Sequence, residues 1–413
     1  MWRYHLLLTL FSIPAILFTT WQAWQQRDMR FLRERLSFIR SFHKGNIWIH
    51  AASVGEVNAV MPLIHALLKR YPDKQITLTT STPTGSEVAQ KKLPTGATHC
   101  YLPIDFNWAS RRFINKLQPC CALIMETELW PHVYRHCVTS GAPLLIINGR
   151  LSEKTVDAPD WLRALCPYVL ANVTAILARS EADRERYISL GAAADKIKTI
   201  GNIKLITPTD AAVEPISLGR PFVLAASTHD DEELRIAKMW LALKEKDKRL
   251  LVIVPRHPKR SAAIQQQLAT LACNVAVRSD HGVINETTDI YLADTLGELP
   301  SFITAADFVF MGGSLVPTGG HNILEVAQLG KAVLFGKHME TFSDEAALFI
   351  EANAGIQVAS DEMLQTSIAS LLANPEQAQQ LGDNGKKLIA ECDHILPDYL
   401  REIDQHLRHR HHR

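Results

Sequence analysis

Fifteen residues, Met311-Gly-Gly-Ser-Leu-Val-Pro-Thr-Gly-Gly-His-Asn-Ile-Leu-Glu325, join an apolar run at 307–311 to a helical pattern at 323–329. A strand that ends in glycines and reopens as a helix presents free N–H groups, and such a start attracts phosphate. Glu325, just inside the helix, can take two ribose hydroxyls, as acidic residues do in nucleotide folds. The spacing is not G-x-G-x-x-G, so a nucleotide carrying another group fits better than a dinucleotide.

Other charged residues fall where strands end. Glu56 closes Ala51-Ala-Ser-Val-Gly-Glu56 at a strand-to-helix turn. There it serves either as a helix-dipole partner worth a few tenths of a kcal/mol or as a general base reaching a substrate hydroxyl. Met125-Glu-Thr-Glu-Leu-Trp-Pro131 sets Glu126 and Glu128 directly after an apolar strand. Helix capping accounts for one of the two and leaves the other for function. Lys204 ends Gly201-Asn-Ile-Lys204, where a lone lysine is ordinarily a solvated charge. Arg256, in Pro255-Arg-His-Pro258, can fork onto a phosphate. Ala225-Ala-Ser-Thr-His-Asp-Asp-Glu-Glu233 offers hydroxyls and a helix start to an anion, and its acidic run reads as N-terminal helix charge rather than a metal site.

From Ile47 onward strands alternate with helices, the pattern of parallel α/β sheets. Strands are expected at 47–50, 76–80, 122–125, 144–147, 175–178 and 197–200, and after a proline-rich stretch at 222–226, 250–254, 308–311 and 332–335. The expected fold is therefore two Rossmann-like α/β domains facing a cleft, the GT-B type found among nucleotide-sugar glycosyltransferases. An N-terminal membrane-anchor helix precedes them. The boundaries are 1–26 for the anchor, 27–207 and 222–400 for the domains, 208–221 for the linker and 401–413 for a basic tail.

The anchor expectation rests on Leu6 to Trp24, nineteen nearly uncharged residues that would span roughly 28 Å as a helix. Arg27, Arg30, Arg33, Arg35, Arg40 and Lys44 follow it, which keeps the large domains in the cytoplasm at the inner membrane. Met29, Leu32, Leu36, Ile39 and Phe42 then recur at helical spacing, predicting an amphipathic helix that docks on anionic lipid.

Composition narrows the rest. In 413 residues, 44 basic side chains meet 43 acidic ones, an ordinary balance with no nucleic-acid signature. The seven cysteines show neither C-x-x-C nor zinc spacing, so they read as buried thiols. No metal site and no cofactor are expected.

Taken in order, H-A-A-S-V-G-E, T-P-T-G-S-E, M-E-T-E-L-W-P, G-N-I-K, A-S-T-H, V-P-R-H-P and G-G-S-L-V-P-T-G-G-H-N-I-L-E resemble the bacterial 3-deoxy-D-manno-octulosonic acid (Kdo) transferases from about residue 27 to 345. Members of that family move Kdo from CMP-Kdo to the lipid A precursor in lipopolysaccharide synthesis. The resemblance implies that Glu56 is the general base for the acceptor glucosamine hydroxyl, and that Glu126 and Lys204 stabilise the transition state. For CMP it points to Pro255 and Arg256, to Leu296, Gly297 and Glu298, and to Asn322, Ile323, Leu324 and Glu325. The chain departs from the family pattern at Leu296, usually methionine, after Ser152 and after His338. A UDP-dependent GT-B transferase and a UDP-sugar 2-epimerase are the competing readings.

Overall fold

The computed structural model describes residues 4, 12–25, 27–40, 42–126, 128–151, 155, 158–159, 163–206, 213–244, 246 and 249–408. Contacts divide the chain into two compact units, Met1–Ile206 with Asp393–Arg413, and Thr207–Cys392.

The strands of the first unit are β1 (Ile47–His50), β2 (Ile76–Thr80), β3 (Ala97–Tyr101), β4 (Cys121–Met125), β5 (Leu144–Gly149), β6 (Ala175–Ala178) and β7 (Ile197–Thr199). They form one parallel sheet in the order β3-β2-β1-β4-β5-β6-β7. β1, β2, β4, β5 and β6 are buried at every position. That is why their sequences run apolar without alternation: helices cover both faces of a parallel sheet. The Val54–Arg70 helix is one cover, capped by Ser53 and burying Val57, Val60, Met61, Ile64 and Leu67. The order reverses between β1 and β4, and ligands of open α/β sheets collect at such a switch point.

The second unit repeats the plan with β8 (Phe222–Thr228), β9 (Leu250–Pro255), β10 (Val275–Val277), β11 (Ile290–Leu292), β12 (Val309–Met311), β13 (Val333–Phe335) and β14 (Gly355–Gln357). Its sheet, β10-β11-β9-β8-β12-β13-β14, is parallel and reverses between β8 and β12. The ten expected strands are present with ends shifted by a residue or two. Those that the pattern does not announce are β3, β10, β11 and β14. Three of them are sheet edges, and the three-residue β10, β11 and β14 are too short to show a period.

Two expectations are corrected. The helix predicted over 29–42 stops at Arg35. Ser37 adopts a positive φ of 60° and donates its hydroxyl to the Ala109 carbonyl, which turns the chain away. The short Met29–Arg35 helix lies on the β3 edge. Asp28 accepts from the Tyr101 hydroxyl, Glu34 from the Tyr101 N–H, and Arg30 and Arg35 donate to the His99 and Leu102 carbonyls. Its basic side chains are thus partly spent inward, covering a sheet edge.

The second correction concerns the chain's last segment. Residues 401–408 belong to a helix, Ile395–Arg408, and residues 409–413 of the expected tail lie outside the described residues. This helix packs on the first unit, so the second unit ends at Cys392 rather than at 400. Tyr399, Ile403 and Leu407 are buried, Asp404 pairs with Arg70, and Glu402 pairs with Lys198 at 2.6 Å. The Tyr399 hydroxyl accepts from the Asn148 N–H and donates to the Gly201 carbonyl, both at 3.1 Å.

Among the described residues no helix is long and apolar enough to cross a membrane. The Ser12–Gln25 helix has 14 residues, about 21 Å at the usual rise. Thr19 and Ala23 pack inward, whereas Ile13, Leu17, Phe18, Trp21 and Trp24 are exposed. The earlier part of the expected anchor, residues 5–11, lies outside the described residues, as do 208–212 of the expected linker.

Two changes test how the returning helix is held. Removing residues 393–413 forfeits three large buried side chains, on the order of 5 kcal/mol, so the first unit should lose its thermal transition while the second keeps its own. Tyr399→Phe strands the buried Asn148 N–H and removes the donor to the half-buried Gly201 carbonyl, and should lower the first unit's stability by about 1–3 kcal/mol in a denaturant titration.

Candidate functional site

In the first unit the candidates gather at the switch point. Glu56 sits in the first helical turn after β1, 9% exposed. One carboxylate oxygen accepts from the Ala52 N–H and the other from the Ser53 hydroxyl, both at 2.9 Å, while Ser53 Oγ accepts from the Glu56 N–H at 3.4 Å. This reciprocal arrangement is a capping device, yet each oxygen keeps a lone pair for another proton. Burial raises the Glu56 pKa, with a contribution from the Glu126 charge, against the opposing pull of the Ala52 N–H, His50 and Ser53. Capping and basicity therefore coexist in one oriented side chain.

Glu126 is the first residue beyond β4 and holds a left-handed φ of 54°. Such a conformation costs energy in a non-glycine residue and persists where the surroundings over-determine it. Here the surroundings are plain: its N–H donates to Ile147, and its carbonyl accepts from the Tyr187 hydroxyl at 3.0 Å. The carboxylate meets Lys204 Nζ at 3.2 Å and the Asn148 amide at 3.5 Å. Asn148, also at positive φ, accepts from the Ile203 N–H at 3.0 Å. Through Tyr399, the C-terminal helix thus holds Asn148, which contacts Glu126, and Gly201, three residues before Lys204.

Glu128 is different. Burial opposes its charge, but His50, Trp130 and Arg35 more than compensate, and its pKa is lowered. Neither acid caps the Pro131–Thr139 helix. Asp105 does that, accepting from the His132 and Val133 N–H groups at 3.0 and 2.8 Å. Pairing by sequence distance could not show this, because Asp105 comes from a loop after β3.

In the second unit the glycine-rich stretch behaves otherwise than expected. The buried Glu232 carboxylate accepts from the N–H groups of Gly313, Ser314, Leu315 and His229. Those loop donors are therefore spent within the protein. A Cβ on Gly312 would meet the Thr228 Cα at 2.6 Å, and one on Gly336 the Ser314 carbonyl oxygen at 2.1 Å, so the glycines serve close backbone packing. The following helix, Leu324–Gln328, has only five residues. Its dipole is correspondingly weak for holding a phosphate. Glu232 and Glu233 stand in the first turn of the following helix, as expected, but both are buried, and Glu233 binds Thr228 and Arg260, while Asp230 and Asp231 are exposed.

The residues expected to hold CMP all lie in this unit. Pro255 ends β9, and exposed Arg256 follows, its N–H donating to the Thr228 carbonyl at 2.9 Å. Asn322 donates to exposed Glu325 at 3.1 Å, while Ile323 and Leu324 are buried. Leu296 is 81% exposed and Gly297 has a positive φ. Glu298 is held by Arg278 and Thr295, which lower its pKa. Beside Arg256 and Asn322 stand His257, which the strand-end motif already placed with Arg256, and two histidines that the sequence did not single out. His229 and His321 touch through their Nε2 atoms at 2.8 Å, and the His257 ring lies 5.8 Å from that of His229. Asn148 and Tyr399 were missed as well. The only signal for Asn148 is an amide inside an otherwise apolar strand, and Tyr399 carries none.

The profile of a family described as 3-Deoxy-D-manno-octulosonic-acid transferase (kdotransferase) matches residues 30–207. A Haemophilus influenzae protein named 3-deoxy-D-manno-octulosonic acid transferase is 35% identical over 355 residues, covering 84% of this chain and 83% of its own length. A Bordetella pertussis protein of the same name is 32% identical, with 82% of each chain covered. Among solved structures, a Rickettsia africae glycosyltransferase matches with a TM-score of 0.53 at 14% identity, covering 89% of this chain and 99% of its own. That likeness is one of fold alone. With sequence identity sustained over most of both chains, this protein belongs to the 3-deoxy-D-manno-octulosonic acid transferase family.

Proposed function

We propose that the protein transfers Kdo from CMP-Kdo to a glucosamine hydroxyl of the lipid A precursor, with inversion, and that Glu56 is the general base. Family membership supports the donor and the sugar. The observation that carries the mechanism is Glu56 itself: oriented by two donors, more basic than an ordinary glutamate, and placed where β1 meets the switch point. A base positioned this way removes the acceptor's proton as the sugar bond forms. Glu126 and Lys204, locked together beside it, present one charge of each sign to a reaction that separates charge.

Kdo is a ketose acid, so positive charge builds on its ring as the bond to phosphate weakens. Negative charge builds on the leaving phosphate, which Arg256 can take as a planar fork. CMP carries a single phosphate, and the reading needs no metal ion. Its acceptor is an anionic lipid, which gives the exposed Ile13, Leu17, Phe18, Trp21 and Trp24 a purpose at the inner face of the bacterial inner membrane.

Incubation with CMP-Kdo and lipid A precursor, read by mass, tests the reaction directly, and inhibition by UDP rather than CMP would favour another GT-B transferase. Glu56→Gln should reduce transfer roughly 10²- to 10⁴-fold while leaving CMP binding intact. The base must be ionised, so the acidic limb of the rate profile should lie above the ordinary glutamate range; a limb within that range would argue against Glu56. Leu17→Ser with Trp21→Ser should depress transfer to vesicle-embedded acceptor more than to detergent-solubilised acceptor.

A further inference from the structure

The switch point of the second sheet is flanked by β8 and β12, and each is followed by a histidine that reaches the other. His229 and His321 approach through Nε2 at 2.8 Å, with ring planes 16° apart and centroids 5.1 Å apart. A short contact between two such nitrogens requires one proton between them: one ring donates, and the other accepts and carries its own proton on Nδ1. Charged and titratable neighbours face the pair from several elements. Glu232, Glu233, Arg260 and His257 face His229, and Arg256 and His257 face His321. Burial, then the nearby His229, Arg256 and His257, push the His321 pKa down to about 4, and burial also lowers that of His229. Without ligand at neutral pH the pair is therefore uncharged.

Adding one proton does not break the contact. It fills the vacant Nδ1, leaves the shared proton between the Nε2 atoms, and turns two neutral rings into one cation with two remaining N–H donors. Glu232 and Glu233 favour that state at His229, but burial, His257 and Arg260 outweigh them, so a further anion is needed to hold the charge. The neighbouring loop cannot take a phosphate in the pair's place, because its N–H groups at 313–315 are held by Glu232.

We propose that His229 and His321 form a proton-loading site for the nucleotide's phosphate, taking one proton from solvent as a phosphate monoester dianion docks and returning it when the nucleotide leaves. The inference rests on the nucleotide reading of this unit. In CMP-Kdo the phosphate is a diester with one negative charge. When the bond between the sugar carbon and the phosphate oxygen breaks, its electron pair stays on that oxygen and the phosphate gains a second charge. A site that gains a proton as that charge appears favours departure of the leaving group over retention of the intact donor.

Calorimetric titration of the full chain at pH 7.5, in two buffers of different protonation enthalpy, counts protons taken up per ligand bound. CMP should bind with uptake on the order of one proton, while cytidine and the methyl ester of CMP, with no charge and one charge, should bind with little. In His229→Gln and in His321→Asn the CMP uptake should fall to the cytidine level, with CMP affinity about tenfold weaker. CMP binding without uptake in the unaltered protein, or uptake in both variants undiminished from that of the unaltered protein, overturns the proposal. If CMP does not bind, by equilibrium dialysis as well as by heat, the nucleotide reading fails and takes the proposal with it.

Discussion

A carboxylate without water must find other donors, and Glu232 finds four backbone N–H groups. Burying an ionised acid is costly unless hydrogen bonds replace its hydration. Here the replacement comes from the loop that follows β12, so the loop's shape and the acid's burial are one constraint. The close approaches at Gly312 and Gly336 follow from it, since the backbone is drawn in until no side chain fits. Asp105 plays a related part in the first unit, binding the start of the Pro131–Thr139 helix and the Ser110 hydroxyl. In each unit a buried acid organises strand-end loops close to the candidate site residues.

The acids of the first unit show how environment divides roles. Glu56 and Glu128 both lie near His50, yet burial dominates at Glu56 and hydrogen-bonded partners dominate at Glu128. Their pKa values move apart, the usual mark of one group kept basic and another kept charged. Glu126 has no such freedom. Its strained backbone and its contacts with Lys204, Asn148 and Tyr187 define one position.

Much of the fold was readable because buried parallel strands leave continuous apolar runs, and ten were found that way. Short edge strands such as β10 and β14 leave no such trace. Glu56, Glu126 and Lys204 could be named from motifs and do come together. Glu325, by contrast, was assigned through a helix start that proved five residues long. What sequence spacing could not convey is which donors are already taken. The N–H groups of 313–315 looked free because Glu232 lies eighty residues away in the chain, and the His229–His321 contact was hidden for the same reason.

Because Ile395–Arg408 completes the first unit, the second is in topological terms an insertion, entered near residue 207 and left near 392. Ribosomal synthesis therefore delivers the entire second unit before the tyrosine that steadies Asn148 and Gly201 emerges. Chimaeras made by joining the front of one relative to the back of another would pair that helix with a foreign sheet. A cassette exchanged between two crossover points would leave it with its own.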